Sequence, residues 1–398
     1  MKVLRARWPV FVAAAVLGLL ALNEFRPVSA VAASQTIPSS TTGASSAPIP
    51  WPNGAQAALG TANGNVIAAT RGARSAPIGS VAKVMTALVV LDLKPLKKGE
   101  QGPAITITPE DVAEFQQRKA QQESVVAVQA GEQLSEYQTL QGLLIPSANN
   151  LASLLARWAS GSVDAFVKRM NDKARELRLT ATTFAEPGGV ADQTVSTPVD
   201  MIRLGAAALD NQVLVDIVSQ QQVTLPVDGT KPNVNYALGQ DGIFGIKTGT
   251  IPSEGAIYLF AGNVQLASGS KVVIVGAVQG MPTLLGALDS ARELLRAAHA
   301  SLELRHVVSR DQTVGRYVMP WGPRSDVVST ADLDILVWAG TVVRAKLRTA
   351  AVDSSVSARA EVGKLQVTAG DAAYDVAVTT TDEIGGPSFL ARLTRVGW

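Results

Sequence analysis

Pro77-Ile-Gly-Ser-Val-Ala-Lys-Val-Met-Thr-Ala-Leu88 (PIGSVAKVMTAL) decides how this chain is read. Gly79-Ser80 reads as a helix start with Ser80 as the N-cap. From Val81 to Leu91 the run is apolar nearly all round, and Lys83 breaks it. A helix of that kind is normally buried. Ser80 and Lys83 stand at i and i+3, neighbours on one helical face. In a desolvated site the amine's pKa falls, and a neutral lysine can take the proton of a serine and activate it as a nucleophile. The Ser80 N–H, at the helix N-terminus, points where an oxyanion would form. The bland alternative is a capping serine and a lysine that snorkels to water. Ser-x-x-Lys arises by chance on the order of once in a chain of this size, so for the pair alone the bland reading prevails.

The rest of the chain narrows the chemistry. At 398 residues there is room for two or three domains. Charged residues make up 17% and apolar ones 47%, a globular composition. Net charge is +2 with mixed signs, which gives no nucleic-acid footprint. Cysteine is absent, which removes thiol nucleophiles, thiolate zinc sites and disulfides. The only histidines, His299 and His306, sit in one short late segment, which argues against a Ser-His-Asp triad.

Residues 1–33 read as a secretory signal peptide: Lys2, Arg5 and Arg7, an apolar run Val10–Leu22, then small residues at Ser29-Ala-Val-Ala-Ala33. Thirteen apolar residues are short for a span, which needs about 20. Left uncleaved, the segment would serve as a membrane anchor. Either way the body of the protein is expected outside the cytoplasm. Residues 34–50 are Ser/Thr/Pro-rich and read as a flexible tether.

A first domain, 51–304, opens with a hairpin, Ala55–Leu59 and Val66–Ala69, around Asn63-Gly64. Helices are expected over 80–91, 151–158, 163–177, 198–209 and 289–304, and strands over 256–261 and 271–278. Strands at both ends with helices between them predict one sheet flanked by a helical cluster. From residue 305 short alternating runs at 314–318, 333–338, 341–347, 364–368 and 374–380 predict a small all-β domain, 305–398.

Two further motifs follow the first. Ser147-Ala-Asn149 ends Leu143-Leu-Ile-Pro-Ser-Ala-Asn-Asn150. A second hydroxyl can relay a proton and an amide can hold a substrate carbonyl; alone, the stretch is equally a helix-start loop capped by Ser147. Lys247-Thr-Gly-Thr250 precedes a strand. On an edge strand facing a cleft it offers a positive charge, two hydroxyls and a glycine that lets a substrate backbone approach and pair. Alone, it is a strand end with a solvated lysine.

Together and in order, Ser-x-x-Lys, Ser-x-Asn and Lys-Thr-Gly form the signature of penicillin-recognising serine enzymes. The chain resembles the low-molecular-weight penicillin-binding proteins, the serine-type D-alanyl-D-alanine carboxypeptidases. The likeness extends to Gln129–Glu136, Phe166–Leu177, Ser196–Asp200, Gly242–Gly262 and, in the tail, Val362–Thr368 with Gly385, Gly386 and Phe389.

The resemblance implies an α+β transpeptidase fold, an antiparallel sheet plus helical cluster, followed by a small all-β domain. It implies Ser80 as nucleophile and Lys83 as its base. Ser147 and Asn149 would aid proton transfer and positioning, and Lys247 would shape the electrostatics. Thr248, Gly249 and Thr250 would bind substrate, with the Ser80 and Thr250 N–H groups as oxyanion hole. Neither metal nor cofactor is implied. The implied substrate is a peptidoglycan stem peptide ending in D-Ala-D-Ala, with penicillins as inhibitors, in the bacterial cell envelope. The arginine that relatives place after the strand following Lys-Thr-Gly has no counterpart in 276–291, and no amphipathic helix of the usual length ends the chain. A D,D-endopeptidase or a β-lactamase would share the machinery. For the β-lactamase reading the candidate water-activating groups are Glu176 and Glu186. A non-catalytic penicillin- or wall-binding protein is the rival from another class.

Overall fold

The computed structural model describes residues 8–45 and 47–394, which form two compact units. One comprises residues 44–303 with 336–339; the other comprises 8–43, 304–335 and 340–394.

The first unit is built on a five-stranded antiparallel sheet. Its strand order is Ile243–Ile251, Gly255–Gln265, Lys271–Met281, Gln56–Thr61 and Val66–Ala69. Both faces are covered, which explains why the central strands read as unbroken apolar runs rather than as alternation. Tyr258, Phe260, Ile274 and Val278 face the helix Leu284–Ser301, packing with Leu288 and Leu295. Ile257, Leu259, Val275 and Ala277 face the other way, into a helical cluster with Met85, Leu151 and Met201. The helix Ala82–Leu93 lies inside that cluster, with Ala82 through Leu91 all buried.

The antiparallel sheet and helical cluster are those anticipated from the sequence, and the helix Pro198–Leu209 has the expected bounds. Besides the short Gln212–Val218, two longer helices, Pro109–Ala120 and Glu136–Leu144, were not expected. Their starts are nonetheless written as capping boxes, Thr108 with Asp111 and Ser135 with Gln138. The closing helix ends at Ser301 rather than Leu304, because Leu302–Val308 leaves it as a strand of alternating burial.

Glu136 is fully buried at the start of its helix, and neither carboxylate oxygen has a partner. Burial pushes its pKa up from 4.5 to about 7, against the opposing pull of Lys94. A carboxyl whose folded pKa lies above its unfolded one stabilises the protein below the unfolded value, and that contribution is lost as pH rises through the folded value. Glu136→Gln should therefore add about 3 kcal/mol of stability well above pH 7 and change little in acid. Urea unfolding on either side of neutrality checks this; equal effects at both pH values would refute it.

The second unit is a seven-stranded antiparallel sheet ordered Ser34–Gln35, Thr313–Val318, Arg324–Ser329, Ala372–Thr380, Glu361–Ala369, Val342–Thr349 and Ser40–Thr42. Residues 34–42, expected within a flexible tether, instead supply both edge strands. Ser34 pairs with Arg316, and Thr42 with Val342. The Gln35 side chain spans the gap, donating to Ala345 O at 3.1 Å and accepting from Leu347 N at 2.8 Å. Ser/Thr-rich composition reports weak burial, but an unpaired sheet edge offers backbone bonds that need no apolar side chain. Domain limits shift accordingly: residues 8–43 join the late β unit, and 336–339 join the earlier one.

Within the expected signal segment Trp8–Phe25 is helical, Asn23 Nδ2 donates to Leu393 O at 3.2 Å, and Val31 bridges to Val352. Lys2, Arg5 and Arg7 of the expected charged start, and the last four residues of the tail, lie outside the described residues. Among the described residues no helix is long and apolar enough to cross a membrane.

Candidate active site

The two polar side chains inside the buried run Val81–Leu91 reach the same loop. Thr86 Oγ1 donates to Pro187 O at 2.7 Å, and Lys83 Nζ donates to Gly188 O at 2.7 Å. Lys83 Nζ also lies 2.8 Å from Ser80 Oγ and bonds Asn149 Oδ1. Lys83 is wholly inaccessible to water, so it does not snorkel. Desolvation lowers its pKa from 10.5 to about 7, resisted by Glu186 and Glu123 and aided by Arg118.

The partners of Lys83 decide what it can do. Asn149 Oδ1 and Gly188 O can only accept. The ammonium spends one proton on each and the third on Ser80 Oγ. After losing a proton, the amine still donates to both obligatory acceptors, and its lone pair is left facing Ser80 Oγ. The arrangement can draw the proton off Ser80 without moving a heavy atom.

Ser80 does not cap its helix. It sits in the single 3-10 turn Gly79–Val81, and the N-cap Val81 makes no side-chain bond. The hydroxyl expected to cap is thereby left to Lys83. Ser147 is likewise no cap: Ala148 holds that position, and Ser147 is buried with φ +69°, in the left-handed region. Strained backbone of this kind clusters at functional sites. Asn149 is the first residue of the helix Asn149–Ser160 and meets Lys83 directly, while the Ser147 hydroxyl bonds to none of these groups.

Lys247, Thr248, Gly249 and Thr250 lie on the sheet's edge strand, as anticipated. Lys247 is buried, its Nζ donating to Thr248 O at 3.0 Å. Burial holds its pKa well below that of a free lysine, and the neighbouring Lys83 charge lowers it further. Thr248 is buried and Thr250 exposed. Gly249 passes so near the serine turn that a Cβ there would stand 3.0 Å from Ser80 N and 2.9 Å from Ile78 O. A Cβ on Gly79 would stand 3.2 Å from Thr250 N, so the two amides expected to form an oxyanion hole border the same space. Just past Thr250, at the turn that ends this strand, Arg74 lies 3.6 Å from Glu254, beside a cavity of about 280 Å³ that also meets Gln56 and Gly280.

Folds built like the first unit recur among solved structures. The chain superposes on penicillin-binding protein 5 from Haemophilus influenzae with a TM-score of 0.67 at 20% identity, covering 86% of this chain and 100% of that one. The Streptomyces K15 DD-transpeptidase matches with a TM-score of 0.54 at 24% identity, over 61% of this chain and 96% of that one. These matches establish the transpeptidase fold. The D-alanyl-D-alanine carboxypeptidase family profile matches residues 51–275, more than half of the chain. The chain belongs to that family.

Among curated relatives, the D-alanyl-D-alanine endopeptidase of Pseudomonas aeruginosa is 37% identical over 164 residues, 41% of this chain and 48% of that protein. The D-alanyl-D-alanine carboxypeptidase DacF of Bacillus subtilis is 26% identical over 271 residues, 66% of each. The alignments with the D-alanyl-D-alanine endopeptidases of Pseudomonas aeruginosa and Escherichia coli each span about half of those proteins' length.

Several groups that matter to this family member's site escaped the sequence reading. Glu186 was weighed only as a water-activating base. Its carboxylate instead collects backbone N–H groups, from Gly188 and Gly189 at 2.6 Å and Val190 at 2.8 Å, and so shapes the loop that presents Gly188 O to Lys83. A carboxylate so engaged is not aimed at an ester water, and Glu176 is an exposed partner of Lys173. Glu-Pro-Gly-Gly was the available signal, because successive glycines let amides converge on an anion. Glu123 and Arg118, behind Asn149, carried no signal at all. A cavity of about 570 Å³ lies on that side, lined by Arg118, Ser153, Glu186 and Pro187.

In the other unit His306 does find a serine and an aspartate, with Nε2 2.9 Å from Ser309 Oγ and Nδ1 2.8 Å from Asp334 Oδ1. His306 and Asp334 are each about half exposed, so water competes for every bond.

Proposed function

We propose that the chain is a serine-type D-Ala-D-Ala carboxypeptidase of the bacterial cell envelope, acting through an acyl-enzyme on Ser80. The observation that carries the reading is the buried Lys83, held by two obligatory acceptors so that its free lone pair faces Ser80 Oγ. Neutral Lys83 takes the Ser80 proton as Oγ attacks the carbonyl between the two terminal D-alanines. The oxyanion meets the Ser80 and Thr250 N–H groups, each worth roughly 10²–10³ in rate. The proton passes to the departing D-alanine amine, and the relay is assigned to the Ser147 hydroxyl. Water then cleaves the ester. Lys247, with Thr248 and Thr250, receives the substrate's terminal carboxylate, whose charge offsets the cost of an ammonium buried beside Lys83. The exposed edge strand pairs with the extended stem peptide, and Gly249 admits its backbone. The unit of residues 44–303 with 336–339 is the catalytic domain, the late β unit is an accessory domain, and 1–33 serve as the export signal or anchor.

Benzylpenicillin resembles the acyl donor and tests the assignment. Brief incubation followed by intact-mass spectrometry should show a persistent adduct on Ser80 that Ser80→Ala lacks. Drug destruction without adduct would indicate a β-lactamase, and neither event would indicate a binding protein. The 37%-identical relative named as an endopeptidase favours cleavage of crosslinks as the second reading. Free D-alanine from an uncrosslinked stem, against resolution of a crosslinked dimer, separates the two.

A further inference from the structure

We infer that Glu123 is a positioning residue for this reaction: its carboxylate fixes which end of the Asn149 amide faces Lys83, and Arg118 holds that carboxylate in place. The inference rests on the reading of Lys83 as the base for Ser80. An asparagine amide has an accepting end and a donating end, and the site works in only one orientation. With Oδ1 toward Lys83 the amine has its acceptor. With the NH₂ group there, donor would meet donor, and the lysine lone pair would be drawn to the amide rather than to Ser80.

Nothing in Lys83 enforces the choice, because a neutral amine can donate or accept. Glu123 does enforce it. Its Oε2, an obligatory acceptor, receives Asn149 Nδ2 at 2.7 Å. The same oxygen receives Arg118 Nη1 at 2.7 Å, so two donors converge on it and hold it as an acceptor. Arg118 has no freedom to leave, since Nε donates to Glu114 Oε1 at 2.7 Å and Nη2 to Ser153 Oγ at 3.0 Å.

The backbone is fixed in the same way. Asn149 N donates to Ser124 O at 2.8 Å, and the Asn150 amide bonds Val126 N and O at 3.1 and 3.0 Å. The segment after the helix Pro109–Ala120 is therefore fastened to the start of the helix Asn149–Ser160 at three successive points. Neither Glu123 nor Arg118 belongs to the three motifs. Supporting partners of this kind typically cost 10–100-fold when removed from metal centres, and the same logic of orienting a working side chain applies here.

Charge provides a readout that packing alone would not move. The charged groups facing Lys83 are Glu186 from its loop, Glu123, Arg118 and the neighbouring Lys247. Acylation requires neutral Lys83, so its rate climbs with pH through the lysine's titration. Glu123→Gln removes a negative charge and leaves Arg118 uncompensated, so the climb moves to lower pH. Arg118→Gln removes a positive charge, so the climb moves to higher pH.

The experiment measures second-order acylation by benzylpenicillin against pH for the full-length wild type, Glu123→Gln and Arg118→Gln, with thermal unfolding of each. Expected are a plateau lowered about 10–100-fold in Glu123→Gln, because glutamine can present either end to Asn149, and limbs displaced in opposite directions. Plateaus and limbs matching the wild type, or limbs displaced in the same direction, would overturn the inference while leaving the function intact. A wild type that benzylpenicillin never acylates would overturn the underlying function and this inference with it. Should Glu123→Gln fail to fold, the Arg118→Gln limb decides: upward displacement supports the assignment, and none or downward refutes it.

Discussion

Lys83→Met should leave a folded protein that benzylpenicillin acylates about a thousandfold more slowly, the scale of a lost general base. Methionine fills a similar volume without a charge. The variant is relieved of the desolvation that depresses the lysine, while Asn149 Oδ1 and Gly188 O each lose a donor. An unsatisfied buried acceptor costs about 1–3 kcal/mol. The two effects oppose each other, and the net change in melting temperature should be a few degrees. The pH profile is the sharper signature. Wild-type acylation should rise through about pH 7 and level off above it, following the pKa to which burial lowers Lys83. The residual rate of Lys83→Met should lack that limb. A variant acylated at the wild-type rate would remove Lys83 from the chemistry.

Gly189→Ala should damage stability and reaction together. Gly189 has φ +82°, and a Cβ there would stand 1.8 Å from Gly79 O and 3.0 Å from Ser80 N. The obstacle is backbone on both sides, so no side chain can swing aside. Either the Glu186 loop retreats, withdrawing Gly188 O from Lys83, or the turn carrying Ser80 shifts. A displacement of about 1 Å at a reacting group costs on the order of a hundredfold in rate, and forcing the left-handed backbone adds on the order of 3 kcal/mol of instability with the clash. Gly131→Ala is the control: its φ is +84° and nothing stands within 4 Å of the added methyl. It should cost about 1 kcal/mol and leave acylation unchanged. Equal acylation by both variants would mean that the loop does not govern the site.

Much of this site was legible in the amino-acid sequence, for a physical reason. An ammonium in an apolar helix is expensive enough that a sequence rarely carries one without use, so Lys83 announced itself. Lys247-Thr-Gly-Thr250 could be placed on an edge strand because the strand after it read clearly as apolar and β-branched. The hairpin at Asn63-Gly64 and the paired central strands followed from turn chemistry and periodicity. One expectation that failed, a tether beginning at residue 34, failed over 34–42, where composition is the wrong quantity. Strand pairing at a sheet edge is a backbone interaction, and Ser/Thr content neither favours nor forbids it.

The amino-acid sequence by itself determined the three motifs, the sheet with its helical cluster, and the presence of a buried amine beside a hydroxyl. Only the tertiary structure decided which groups tune that amine. Glu123 reaches Asn149 across 26 positions of chain, and the loop that Glu186 shapes reaches Lys83 through Gly188 across 105. Side-chain bonds over such separations leave no periodicity or local composition behind. They depend on where a loop is pinned, and the pinning here is done by backbone carbonyls at Ser124, Pro187 and Gly188, atoms that every residue carries and no sequence displays.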